Sequence, residues 1–136
     1  MEILLDASAI IAVIVDEPEA QIVINFTKNA TIVSPNIISY EIANALTRMM
    51  KKKVIISEEQ MLDLIKNFKL IPIKLEEVDL EKALQIAWQN NIYAYDAFYL
   101  EVAKRLRLPL VTFDVGMAKI GKTLGLNILG GKNASN

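Results

Sequence analysis

The sequence contains no cysteine and no histidine, and these two absences narrow its chemistry most. Without thiols there are no disulfides and no thiolate metal sites, which fits a reducing compartment. Without imidazole the commonest general base and the usual zinc ligand are gone, and the Ser-His-Asp triad goes with them. Hydrolytic chemistry must rest here on carboxylates, hydroxyls, lysines or bound hard cations. A surplus of either charge is also missing: 15 lysines and arginines stand against 16 aspartates and glutamates, whereas a nucleic-acid binder usually carries a basic footprint. Charge counts by place, however. With four site carboxylates neutralised by metal, 12 acids would face the same 15 bases, so the balance does not exclude an anionic substrate.

No apolar stretch reaches the roughly 20 residues a membrane helix needs. The run over residues 3–15 follows Glu2 rather than a basic start and is interrupted by Asp6, so it reads as core and not as a signal peptide. A cytoplasmic location without membrane attachment is expected. A chain of 136 residues makes one domain that buries roughly two-thirds of its unfolded surface, with residues 1–129 as the domain and 130–136 as a flexible tail. The hydrophobic share of 53% exceeds what filling that interior takes, which leaves apolar surface for a partner.

Short apolar runs alternate with helical patterns and no repeat or linker intervenes. Strands are expected over residues 2–5, 31–34, 71–75, 108–113 and 126–129. The first helix would be capped by Ser8, and the second would start from the acidic turn at residues 16–19 and run to about Lys28. Ser34 as cap and Pro35 at the first position would open the third, which ends at the lysines 51–53. Ser57 and Gln60 form a capping box for a fourth, to about Leu70. Asp79 caps a fifth through Asn90, Tyr95 begins a sixth through Arg107, and a short seventh covers residues 116–124. Pro72 suits only a sheet edge or a strand start. Strands of this kind, alternating with helices, argue for a parallel sheet covered on both faces. Such sheets bind ligands beyond the carboxyl ends of the strands, where strand order reverses.

Two of the strands end alike, Ile3-Leu4-Leu5-Asp6 and Leu110-Val111-Thr112-Phe113-Asp114, each stopping on an aspartate at that edge. An aspartate there also serves to cap the next helix or close an Asx turn. Asp96 shares a helix face with Leu100 and Ala103, although it stands close to where an N-cap would. Glu41 is mid-helix, where no cap is wanted, about 60° from the centre of the face formed by Ile38, Ile42, Ala45 and Met49. That is the rim of the core or a solvated flank, and Asn44 one turn on would suit it as a hydrogen-bond partner. Four carboxylates gathered at one edge would repel one another and lose hydration, so they need cations. Oxygen ligands alone select hard ions such as Mg2+ or Mn2+, which acidify a bound water and stabilise charge on a phosphoryl group. Other acidic α/β sites fit less well. A signalling receiver would place an isolated aspartate after its third strand, a haloacid-type phosphatase needs Asp-x-Asp where Ser8 takes the second place, and a dinucleotide site needs Gly-x-Gly-x-x-Gly.

The segments LLDASAI, SPNIISYEIANAL and YAYDAFYLEVAKRLRLPLVTFD, in this order and spacing, resemble the PIN domain, the nuclease family that includes the VapC toxins. The resemblance covers nearly the whole chain. It implies an α/β fold with a doubly wound sheet of about five parallel strands in the order 3-2-1-4-5, helices on both faces and the site beyond strands one and four. It carries the family's acidic positions onto Asp6, Glu41, Asp96 and Asp114, and its small hydroxyl residues onto Ser8 and Thr112. Ser8 would hold a water on the ion or cap a helix, and Thr112 would orient Asp114 or simply pack. Some members carry a further acid just after the last aspartate; Val115-Gly116-Met117 stands here, which implies one tight Mg2+ or Mn2+ and at most a second recruited with substrate. The implied activity is metal-dependent hydrolysis of RNA, with Asp6 and Asp96 as first ligands and Asp114 and Glu41 completing the shell directly or through water. The implied partners are a second copy in a homodimer and a cognate antitoxin. Lys51, Lys52, Lys53, Lys104, Arg105 and Arg107 are candidates for RNA contact or plain partners of helix dipoles. Tyr40, Tyr93, Tyr95 and Tyr99 are candidates for base stacking or core and interface aromatics. The alternative activity is that of a weakly active or non-catalytic PIN module that binds RNA or a protein.

Overall fold

Runs as apolar as Ile3-Leu4-Leu5 and Leu110-Val111 belong in the middle of a sheet. The computed structural model, which describes residues 1–130, places them there. Its elements are β1 (Glu2–Leu5), α1 (Ala7–Ile14), α2 (Ala20–Thr27), β2 (Thr31–Pro35), α3 (Ile38–Lys51), α4 (Glu58–Lys69), β3 (Ile73–Glu76), α5 (Leu80–Asn90), α6 (Ala94–Leu106), β4 (Leu110–Val111), α7 (Val115–Thr123) and β5 (Ile128–Leu129). The strands lie in the order β3-β2-β1-β4-β5, and every pairing is parallel. Leu4 pairs with Val33 on one side and Leu110 on the other, and all three are fully buried, as strands covered on both faces must be.

The chain starts at the centre of the sheet, winds outward to β3, then crosses back to β4 and β5. Helices α1 to α4 pack on one another, while α6 packs on α5 and α7; right-handed crossovers put these two groups on opposite faces of the sheet. Winding reverses between β1 and β4, so a crevice opens beyond their carboxyl ends. The helix that crosses back is fixed by a buried charge. Glu101 on α6, only 2% exposed, accepts from the Asp79 N–H and from the Arg105 guanidinium, which also donates to the Glu77 carbonyl. Stripped of those donors a buried carboxylate would cost roughly 3–5 kcal/mol, so α6 stays tied to the β3–α5 connection.

The order of elements and the strand directions agree with the sequence reading, and three local features differ. The cap of α1 is Asp6, not Ser8: its backbone is extended and its Oδ1 accepts from the Ala9 N–H at 3.0 Å. Ser34 and Pro35 do not open α3. The Ser34 hydroxyl donates to the Leu5 carbonyl at 2.7 Å and the Asn36 N–H to the Glu76 carbonyl, so β2 keeps its ladder through Pro35 and α3 begins at Ile38 without a side-chain cap. The fourth strand is short because side chains take over its ladder: the Phe113 N–H bonds Ser8 Oγ and the Asp114 N–H bonds Thr112 Oγ1. The Ser57 and Asp79 caps form as expected, and Pro72 falls just before the edge strand β3. Among the described residues no helix is long and apolar enough to cross a membrane. The tail expected over residues 130–136 lies, apart from Gly130, outside the described residues.

Candidate active site

Asp6 is the fixed point of the crevice. It leaves the end of β1 in extended conformation and is 2% exposed. Its Oδ1 accepts from Ser8 Oγ at 2.7 Å and from the Ala9 N–H, and its Oδ2 accepts from Thr112 Oγ1. An ionised carboxylate offers about four acceptor positions, so one remains open, on Oδ2. Burial pushes the Asp6 carboxyl up to about 6, against the bonds from Thr112, Ser8 and Ala9, which pull it down; the charge of Asp114 adds to the rise. Without a cation the site thus holds its central carboxylate at an electrostatic cost.

Each hydroxyl of the motif bridges two strand ends. Ser8 donates to Asp6 and accepts from the Phe113 N–H, while Thr112 donates to Asp6 and accepts from the Asp114 N–H. Thr112 therefore orients Asp6 rather than the Asp114 carboxylate. Asp114 is exposed and caps α7 through Oδ1, which accepts from the Met117 N–H at 2.9 Å. Asp96 lies in the first turn of α6 and not at its cap, which is Tyr93. It is half-buried, and its carboxyl is raised by burial first and then by the charges of Asp114 and Glu41, so the three acids feel one another across the crevice.

Glu41 finds a partner that local sequence does not announce. The Tyr99 hydroxyl, on α6, donates to Glu41 Oε1 at 2.6 Å, while Asn44 is exposed and does not line the crevice. The Tyr99 ring is buried, and its hydroxyl is held far above its ordinary titration range by burial, by that bond and by the acids around it; it stays a donor. A buried tyrosine needs a polar partner, and Tyr99 stands three residues after Asp96, on the same helix face. That spacing was the available signal.

Asp6, Glu41, Asp96 and Asp114 all line one cleft of about 560 Å³. Glu17 and Glu19, from the α1–α2 connection, line it too, and burial followed by the charge of Glu19 raises the Glu17 carboxyl. Two cations lie along the same cleft, Arg48 and Lys52. Of the six basic candidates read from the sequence only Lys52 is there; Lys53 borders a separate groove between α3 and α4, and Arg105 is committed to Glu101. Tyr40, Tyr93 and Tyr95 are exposed and line neither the cleft nor that groove.

The donor set of the cleft fits a hard divalent cation: oxygen ligands only, raised carboxyl groups, and one open position on the rigid Asp6. Among the described residues no three acidic side chains stand ready in ligating arrangement. Closing on an ion calls for rotation of Asp96, Asp114 and Glu41, which are partly or fully accessible, toward Asp6, which is not free to move.

Nine chains of solved structures match this one. One, PAE2754 from Pyrobaculum aerophilum, shares 26% sequence identity and a TM-score of 0.67 over 94% of this chain and 92% of its own. Another, VapBC2 from Rickettsia felis bound to a DNA fragment from their promoter, shares the fold at 15% identity and a TM-score of 0.63, over 94% of this chain and 97% of its own. No curated protein matches. The family model of the PIN domain, a family whose members are generally nucleases, matches residues 3–123 and so takes in all four carboxylates. The chain belongs to the PIN domain family.

Proposed function

We propose that this chain is a Mg2+- or Mn2+-dependent ribonuclease, the toxin of a VapBC-type pair, and that it hydrolyses RNA phosphodiester bonds in the acidic cleft. The observation that carries the reading is the convergence of Asp6, Glu41, Asp96 and Asp114, from four separate elements, on one cleft, where two hydroxyls hold the innermost of them in place. Asp6 and Asp96 would hold the ion, with Asp114 and Glu41 completing its shell directly or through water. When bound, it would acidify a water and stabilise the charge that develops on the phosphoryl oxygens.

The residues of the chain divide the remaining work. Asp6 supplies a rigid anchor, because three hydrogen bonds leave it one open position. Glu41, with Oε1 held by the Tyr99 hydroxyl, keeps Oε2 to orient the attacking water and take its proton, a role within reach of a positioned carboxylate where no imidazole exists. Ser8 and Thr112 fix the two strand ends relative to each other, which keeps reacting groups within the narrow geometry that catalysis needs.

Two partners belong to this reading. The VapBC2 structure supports a VapB-type antitoxin. A second copy of the chain is supported by α5, where Leu80, Leu84 and Trp88 recur every four residues and are exposed, Trp88 to 89%. That stripe is symmetric about Leu84, so α5 laid antiparallel on its own copy sets Leu80 against Trp88 twice, the self-complementary contact of a two-fold dimer. The function is tested by offering the purified chain RNA and DNA pools with Mn2+ or with chelator. Cleavage of RNA alone, only with metal, is expected. Equal cleavage of DNA would overturn the ribonuclease, and no cleavage together with no metal-induced rise in melting temperature would favour a module that only binds.

A further inference from the structure

Helix α3 and the residue that caps its C-terminus bring two cations to the cleft, Arg48 and Lys52, that the chemistry above leaves unused. Glu41, Ala45, Arg48, Met49 and Lys52 recur at the spacing of one helix face, and all five line the cleft. The face changes sign along its length, from the carboxylate held by Tyr99 to two exposed cations at the far end. Among the described residues neither Arg48 nor Lys52 forms an ion pair, although Glu17, Glu19 and Glu41 border the same space. A helix C-terminus attracts lysines by its dipole alone, but Lys51 and Lys53 satisfy that attraction equally and do not line this cleft. The helical rise of about 1.5 Å per residue sets Arg48 roughly 10 Å and Lys52 roughly 16 Å along the axis from Glu41. At about 3.4 Å per phosphate in a stacked strand, those are roughly three and five phosphates from the reacting centre, and fewer in an extended strand.

We infer that Arg48 and Lys52 bind backbone phosphates of the substrate strand on one side only of the cleaved bond, so that α3 decides which flank of the RNA is held. This rests on the ribonuclease reading. A guanidinium grips a phosphate through paired N–H donors and an ammonium as a point charge, and contacts of this type position a strand without reading its sequence.

The test is equilibrium binding of a labelled mixed-sequence single-stranded RNA 12-mer to the Asp96→Asn chain in Mg2+ across a NaCl titration, with and without Arg48→Gln/Lys52→Gln. Each lost phosphate contact lowers the slope of log K against log salt by about 0.7, so the pair should lower it by about 1.4 and weaken binding at least tenfold at low salt. Lys51→Gln/Lys53→Gln, with the same change in net charge, should leave the slope nearly unaltered. Equal slopes for parent and cleft variant, or equal losses in both double variants, would overturn the inference and leave only general attraction or a protein partner. With the active chain, trimming nucleotides from one flank of the cleaved bond should raise KM and trimming the other should not, and Arg48→Gln/Lys52→Gln should abolish that difference. Equal dependence on both flanks would contradict one-sided binding. A parent that binds RNA but never cuts it would contradict the ribonuclease reading instead, with the slopes still decisive.

Discussion

Asp6→Asn removes one charge from the centre of the cleft and hardly changes shape, so its effect isolates what burying that charge costs. In the metal-free protein burial lifts the carboxyl from its ordinary 3.8 to about 6. At roughly 1.4 kcal/mol per pKa unit, holding Asp6 ionised at pH 7 costs about 3 kcal/mol. The sign follows from the direction: a raised carboxyl favours the protonated fold, so its contribution is whole below about pH 4 and is lost as pH climbs through 6. Asp96, raised by burial and then by Asp114 and Glu41, adds in the same direction. Asparagine escapes the cost of Asp6 but turns an N–H toward Thr112 Oγ1, which donates to this group in the parent; the mismatch costs about 1 kcal/mol. The variant should therefore be about 2 kcal/mol more stable than the parent at pH 7 with chelator, roughly 6–10 °C in melting temperature, and slightly less stable at pH 4. Saturating Mn2+ should reverse the order at pH 7, because only the parent keeps the ligand. Thermal melts at the two pH values, with chelator and with Mn2+, read this directly. A variant destabilised equally at pH 4 and pH 7 in chelator would refute the idea that burial strains this charge.

Tyr99→Phe keeps the buried ring and removes the hydroxyl that holds Glu41; the Mn2+ concentration needed for half-maximal thermal stabilisation should rise roughly tenfold or more, while an unmoved midpoint would reduce Tyr99 to packing. Thr112→Val removes the buried donor to Asp6 and the acceptor for the half-buried Asp114 N–H, and should cost about 1–3 kcal/mol, mostly for the unpaired position on Asp6, in urea unfolding of the metal-free protein at pH 7. Trp88→Glu places a charge at one end of the exposed α5 stripe, on the most exposed of its three side chains; sedimentation should show a dimer for the parent and a monomer for the variant, with RNA binding per chain retained, and a variant that sediments as the parent does would move the interface elsewhere.

Much of the site was legible because strand ends and helix faces are local properties. Asp6 and Asp114 follow apolar strands, and the edge where they emerge is dictated by parallel topology. What escaped depends on contacts between distant segments. Asp6 and Ser8 are both able to cap a helix, and the choice is made by the Phe113 N–H, which claims the Ser8 hydroxyl from 105 residues away. The Ser34-Pro35 pair is a good helix start taken alone, but the bond from Ser34 to the Leu5 carbonyl keeps it in the sheet. Asn44 is near Glu41 in sequence, one helical turn on, whereas the actual partner, Tyr99, is 58 residues on. Arg48 and Lys52, by contrast, lie seven and eleven residues beyond Glu41, and following that helix face to its end would have found them. Glu17 and Glu19 sit in a connection with no periodicity to place them.

If the four carboxylates act as one cation-dependent cutting site, Asp96→Asn should disable it without disturbing the fold, since Asp96 is half-buried, caps nothing and bears on Asp114 and Glu41 by charge alone. Parent and variant, each first shown to melt cooperatively, would be compared for cleavage of an RNA pool in Mn2+ and in chelator. Mn2+-dependent cleavage by the parent and a loss of at least a hundredfold in the variant are expected. Equal cleavage by both would place the reaction away from these four carboxylates.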